Sequence, residues 1–118
     1  LRINAFEVPR EEWCWQLLLR IPDLVGPRLV DEVVEKLGPA AVGVALTTLA
    51  EGLCVQALHR GPYDKEPETL AAMDALMERE GLIMNGRHHE IYLTPVTAQV
   101  VPEEIETILR HPVWTPER

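Results

Sequence analysis

Apolar and polar positions fall into short alternating and helical stretches, punctuated by proline and glycine. Leu1, Ile3, Ala5 and Val8 alternate loosely, with Phe6 out of step, and Pro9 ends the run. This predicts a strand over residues 1–8. Trp13, Trp15, Leu17, Leu19 and Ile21 share one face of a second strand, with Cys14, Gln16, Leu18 and Arg20 on the other. The short Pro9–Glu12 link makes an antiparallel hairpin their natural pairing. Pro27 suits the first turn of a helix and Gly38 its end. Leu29, Val30, Val33, Val34 and Leu37 form the apolar stripe between them. Residues 43–49 and 52–60 predict two strands around a tight Ala50-Glu51-Gly52 turn. Past Gly61-Pro62, a second helix starts at Pro67, turns Leu70, Met73, Leu76, Met77 and Leu82 inward, and stops at Gly81. His88–Thr94 alternates again, with His88, Glu90 and Tyr92 on one face and His89, Ile91 and Leu93 on the other. Residues 95–101 read as a loop and Pro102–Glu106 as one helical turn. Thr107–Trp114 reads as a last strand, which Pro112 should confine to a sheet edge or end early.

The order β-β-α-β-β-α-β-turn-β predicts an α+β fold, with helices on one face of an antiparallel sheet. A length of 118 residues suits a single domain over 1–118, and 47% hydrophobic content gives it a modest core. No apolar run is long enough to span a bilayer, and no secretory signal pattern is visible. Nineteen acidic against 11 basic residues leave a net charge of −8, spread along the chain without a basic stripe. Neither nucleic acid nor an anionic membrane is therefore an expected direct partner, whereas cationic small molecules are favoured. Cys14 and Cys54 are too few for a disulfide framework. Their apolar neighbours predict buried thiols in a reducing, cytoplasmic setting.

Three constellations carry chemistry. Glu90 and Tyr92 lie one pleat apart among apolar neighbours. If their face meets a cavity, the Glu90 carboxylate is partly desolvated and suits either a cationic ligand or acid/base work; otherwise it is an ordinary solvent-facing strand residue. In Tyr63-Asp64-Lys65-Glu66-Pro67-Glu68-Thr69, Asp64 and Glu68 read as partners of a helix N-terminus. Tyr63 follows a Gly-Pro corner that can turn it back over the sheet. Trp13 and Trp15 present either a continuous aromatic surface for a flat or cationic ligand, or core packing. Metal binding is not expected of His59, His88, His89 and His111. The adjacent His88 and His89 point to opposite faces of a strand, and no chelating motif is present. Nor is there a nucleophile elbow or a glycine-rich phosphate loop; Gly81 and Gly86 simply flank a turn.

Four separated blocks resemble the GyrI-like small-molecule-binding family: Trp13 to Asp23, Gly52 to Thr69, His88-His89-Glu90-Ile91-Tyr92-Leu93, and Thr107 to Val113. The resemblance implies two β-α-β-β (SHS2-type) modules related by a pseudo-twofold, with an amphipathic pocket and no cofactor. In drug-sensing relatives an acidic residue at the position of Glu90 meets the ligand's positive charge. The Trp-x-Trp and Gly-Pro-Tyr-Asp-x-Glu-Pro blocks look most like a stand-alone branch that includes hydrolases of cyclopropane-bearing xenobiotics. Carried over by position, the resemblance places Trp13, Trp15, Tyr63, Glu66, Glu90 and Tyr92 in or near a ligand pocket, with Glu90 and Glu66 catalytic if the protein is a hydrolase. Such relatives carry a further strand and helix before the segment matching Leu1–Val8, so the chain is expected to be short at its N-terminus. Thr94-Pro95-Val96-Thr97 also stands where they often have Ser-Asp-Pro. A sheet lacking a strand exposes an edge, which leads to the expectation of a homodimer whose second copy covers it. The leading expectation is a binder of a hydrophobic or aromatic, cationic small molecule. A hydrolase is the first alternative, and an inhibitory or sensor subunit acting on a protein partner is the second.

Overall fold

The structure, a computed structural model, describes residues 7–116 and divides the chain into two compact units, Leu1–Thr48 and Leu49–Arg118. Its two helices and four-stranded antiparallel sheet make the fold α+β. No described helix is long and apolar enough to cross a membrane.

The first unit is built around helix α1, Pro27–Leu37. Pro27 occupies the first turn as expected. Gly38, at φ 53°, closes the helix by donating its N–H to Val34 O and Glu35 O. A 3-10 turn over Gly38–Ala41 follows and buries Ala41. Among the described residues the expected hairpin is not formed. Its first arm falls mostly on residues 1–6, outside the described residues, and residues 13–22 form neither helix nor strand. Instead of burying one face, this stretch leaves Trp15, Leu17, Leu18 and Leu19 exposed, together with Cys14, which was expected to be buried. Residues 43–49 likewise form no strand. The physical reason is shared: β pattern has little intrinsic force without a ladder partner and a face to cover. Among the described residues neither segment has that partner.

In the second unit, β1 (Cys54–Arg60) leads into α2 (Glu66–Glu80), which β2 (Ile83–Met84), β3 (His89–Tyr92) and β4 (Glu106–Trp114) follow. All pairings are antiparallel and all involve β4. It lies between β1 on one side and β2 and β3 on the other. Pro112 therefore sits in the central strand, contrary to the expected edge. The ladder explains how. Val113 N–H donates to Leu53 O on the β1 side, so by alternation the Pro112 nitrogen faces the other side. There the pairing with β3 has ended at Arg110, and that with β2 begins at Val113. The missing donor falls at this seam, while Pro112 O still accepts from Asn85 N–H at 2.8 Å. Gly86 matters here beyond its turn: a Cβ on it would lie 3.1 Å from Pro112 Cβ and Cγ.

Period-two burial along β4 turns Thr107, Leu109, His111 and Val113 inward. Leu109 and Val113 join Val55 of β1 and Met73 and Met77 of α2 in the core. Full burial of each such side chain contributes roughly 1.5–3 kcal/mol, enough to hold α2 on this face. The helix ends at Gly81, φ 65°, where Leu82 N–H returns to Met77 O at 2.8 Å.

Candidate functional site

Register fixes where the β3 side chains go. Glu90 pairs with Leu109 and Tyr92 with Thr107, both wholly buried on the side of the sheet that α2 covers. Glu90 and Tyr92 share that side, so the sequence face His88, Glu90, Tyr92 is the one that turns inward. Tyr92 Oη donates to Glu90 Oε2 at 2.7 Å, and His88 Nε2 lies 3.6 Å from Glu90 Oε1. The contact with His88, long for a hydrogen bond, and then the Tyr92 hydroxyl hold Glu90 below the usual carboxylate range, against the opposing pull of burial. The same contacts act in reverse on Tyr92. Burial first, and then its bond to Glu90, push the phenol well above its ordinary value, so it remains a donor.

Glu66 opens α2 and is only 4% exposed. Its Oε1 finds no hydrogen-bond partner among the described residues. Burial, reinforced by the negative charge of Glu90 and opposed by His88, pushes its carboxyl up to about 7. Two carboxyl groups within each other's field thus differ in state: Glu90 is ionised, and Glu66 is near half-protonation at neutral pH. Asp64 and Glu68 lie in the first turns here, and neither helix start has a side-chain cap. They act on the helix dipole only.

The Gly61-Pro62 corner brings Tyr63 back as the sequence suggested. Its ring meets that of Tyr92 edge-on, with centroids 6.1 Å apart and planes at 84°. Burial, followed by the charges of Glu66 and Glu90, raises the Tyr63 phenol. His59 pins the corner. Its Nε2 donates to Pro62 O at 3.0 Å, since a carbonyl only accepts, and its Nδ1 is hydrogen-bonded to the Thr69 hydroxyl at 2.8 Å. With both nitrogens used, His59 is a structural residue. A concavity of about 330 Å³ opens beside the two tyrosines, lined by Tyr63, Tyr92, Leu93, Thr94, Pro95 and Val96. Its far wall is tied down by Leu93 N–H to Glu106 O at 3.1 Å and by Glu106 N–H to Thr94 Oγ1 at 3.0 Å. Glu66 and Glu90 do not line it; Glu90 is linked to it through the Tyr92 hydroxyl.

Of the six residues expected at the site, Tyr63, Glu66, Glu90 and Tyr92 come together in this unit. Trp13 and Trp15 belong to the first unit, where their rings pack against each other at 5.3 Å. Trp13 Nε1 donates to Val8 O at 2.9 Å, and the Arg10 guanidinium lies 5.8 Å from its ring. Trp15 is 63% exposed, which excludes core packing for it.

The sequence did not single out the next two arrangements. His88 Nδ1 and His111 Nδ1 are 3.2 Å apart, with ring centroids at 4.8 Å. On the opposite side of the sheet, Arg110 Nη1 bonds Glu51 Oε2 at 2.8 Å and its Nε bonds Gln56 Oε1 at 2.8 Å, while His89 also meets Glu51. The Arg110 guanidinium in particular lowers the Glu51 carboxyl. Among the described residues no group of three or more His, Cys, Asp or Glu is placed to hold a metal.

The model of the GyrI-like small molecule binding domain matches residues 29–113. A crystal structure of a hydrolase from Listeria innocua is similar at 38% identity and TM-score 0.69, over 80% of this chain and 52% of that one. An uncharacterized conserved protein from the same organism is similar at 39% identity and TM-score 0.71, over 80% and 50% respectively. The chain thus spans about half the length of these relatives. No curated protein matches it.

Proposed function

The chain belongs to the GyrI-like small-molecule-binding family, and from that premise we propose that it binds a hydrophobic or aromatic cation against Tyr63 and Tyr92, with Glu90 as counter-charge. The observation that carries this reading is the Tyr92–Glu90 hydrogen bond at 2.7 Å, at the edge of the concavity. A phenol donating to a carboxylate gains negative charge on its ring, and an electron-rich ring attracts a cation more strongly. Glu90 thereby acts on a ligand that it need not touch. A concavity of about 330 Å³ suits one small ring system. Because the family match runs across the boundary between the two units, we keep one domain as the functional body. Trp13 and Trp15, with one exposed ring, remain proposed ligand contacts. The outer edge of β1 has no strand partner among the described residues, which supports a homodimer completing the sheet. Two free thiols support a reducing cytoplasm.

The test is binding of benzyltrimethylammonium beside its uncharged carbon isostere, neopentylbenzene. Glu90→Gln should cost the cation roughly 1.5–3 kcal/mol and leave the isostere nearly unaffected. Equal loss for both would show that Glu90 supports packing rather than charge recognition.

One observation favours a second reading, a hydrolase. Glu66 near 7 and Glu90 ionised form an acid and a base with separated acidities, a pattern typical of acid/base sites. Two similar structures are also of hydrolases. In this reading Glu90 takes a proton from a water that attacks the cyclopropane carbon; the ring C–C bond breaks, its electron pair passes to the conjugated carbonyl, and Glu66 protonates that carbonyl oxygen. Turnover of such a substrate, lost in both Glu66→Ala and Glu90→Ala, supports it; binding without turnover refutes it.

A further inference from the structure

We propose that Glu66 and Thr107 form a polar floor behind the tyrosine pair that recognises a hydroxyl group carried by the ligand. The inference rests on the reading of a cation held against Tyr63 and Tyr92, and adds the second group by which that ligand is selected.

Two buried side-chain oxygens, Glu66 Oε1 and Thr107 Oγ1, find no hydrogen-bond partner among the described residues. Glu66 is 4% exposed and Thr107 wholly buried, so bulk water reaches neither. Burying a carboxyl or hydroxyl oxygen unmatched is costly, and folded proteins ordinarily match such atoms with a group from elsewhere. Both belong to one corner of the unit. Thr107 sits in the ladder between His59 of β1 and Tyr92 of β3. The first turn of α2 covers that row, since Thr69, one turn after Glu66, reaches the His59 ring at 2.8 Å. Glu66 also acts through its charge on both Tyr63 and Tyr92. The ladder neighbours of Thr107 are committed elsewhere, His59 to Thr69 and Pro62, and the Tyr92 hydroxyl proton to Glu90. One small group placed between the two oxygens satisfies both.

The chemistry of the pair selects a hydroxyl. Thr107 can give or take a hydrogen bond, whereas the Glu66 carboxyl takes one when ionised and gives one when protonated. Held up at about 7, Glu66 occurs in both forms near neutrality. A carbonyl fits only the protonated form and an ammonium only the ionised one. A hydroxyl fits both, because it gives one bond and takes another in either order. Tyr92 lines the concavity and pairs with Thr107 across the ladder, so the floor lies one side chain behind the wall. The Tyr63 ring, which meets Tyr92 edge-on, is the side chain that turns aside to admit the hydroxyl. An aromatic cation with a ring hydroxyl thus offers its charge to the tyrosines and its hydroxyl to the floor.

The experiment measures, by calorimetry at neutral pH, the affinity of benzyltrimethylammonium carrying either a hydroxyl or a methyl group of similar size at the ortho, meta or para position. In the parent, one hydroxyl isomer should bind roughly tenfold more tightly than its methyl counterpart, as expected when buried oxygens gain a partner. That preference should vanish in Thr107→Val, which keeps the branched shape, and in Glu66→Leu, which removes the carboxyl. It should survive in Thr107→Ser. A preference undiminished in both Thr107→Val and Glu66→Leu would overturn the floor. No preference at any ring position, together with a lower melting temperature of Thr107→Val, would assign the two oxygens to a trapped water and overturn ligand recognition by them. Binding that requires Glu90 but ignores the hydroxyl overturns the floor alone. Binding unaffected by Glu90→Gln, or failure of all these cations to bind, overturns the reading of the site and the floor with it.

Discussion

Replacing Glu66 with glutamine isolates the cost of the buried carboxyl. The folded protein holds this group up at about 7, against an ordinary value of 4.5. Below the ordinary value, both folded and unfolded chains carry the proton and the site contributes no pH dependence. Between about 4.5 and 7 the unfolded chain releases its proton while the folded one retains it, so stability falls as pH rises through this window. The difference of about 2.5 units corresponds to roughly 3 kcal/mol, fully developed above pH 7.5. Glutamine keeps the shape and cannot ionise, so Glu66→Gln should gain up to about 3 kcal/mol over the parent at pH 8 relative to their difference at pH 4.5. Urea unfolding followed by circular dichroism at the two pH values, with an unchanged slope m as the check on a single transition, measures it. Subtracting the two proteins removes any fixed effect of the amide and most of the histidine titration. A difference that stays constant from pH 4.5 to 8 would mean that Glu66 ionises as freely folded as unfolded, and the acid/base separation at the site would fall with it.

Leu109→Ala, at a fully buried position of the central strand against α2, should destabilise by about 3–4 kcal/mol in urea unfolding. Gly86→Ala should cost about 1 kcal/mol by the same measurement, because its new methyl meets the rigid Pro112 ring at 3.1 Å. Glu51 is held ionised chiefly by Arg110, so its contribution is present above its ordinary value of 4.5 and lost as pH falls below it. Glu51→Gln should therefore destabilise the protein at pH 7 and lose that effect near pH 3, which thermal unfolding at both values checks.

What the sequence made legible was local. Pro27, Gly38, Gly61-Pro62 and Gly81 mark ends that depend on a few adjacent dihedral angles, and both helices start within a residue of their expected positions. The alternation of His88, Glu90 and Tyr92 likewise gives their shared face correctly, since a strand's period is two wherever it pairs. What failed was partnership. Residues 13–21 and 43–49 carry strand patterns as good as that of 54–60, but only the last lies beside β4. Pro112 looked like an edge residue because its central position depends on two neighbours, β3 and β2, exchanging places along β4. The His88–His111 contact was hidden for the same reason. It depends on the register of two strands separated by the loop after Tyr92, which no periodicity within either strand encodes.

That dependence also explains how the site can exist in a unit of modest size. Burial pushes the Glu90 carboxyl up; an imidazole and then a phenol, supplied by the residue before its strand and by the strand itself, outweigh that push. Glu66 arrives from α2 without comparable partners and takes the opposite state. The two carboxyl groups are therefore differentiated by which element delivers them, and the packing of α2 against β4 sets their mutual field. A change that loosens this packing without touching the site, such as Leu109→Ala, should then reduce the separation of their acidities as well as stability. If ¹³C titration of the two carboxyl groups in that variant showed the parent's separation intact, the difference would have to arise within each element alone, and the packing of α2 on the sheet would not be its cause.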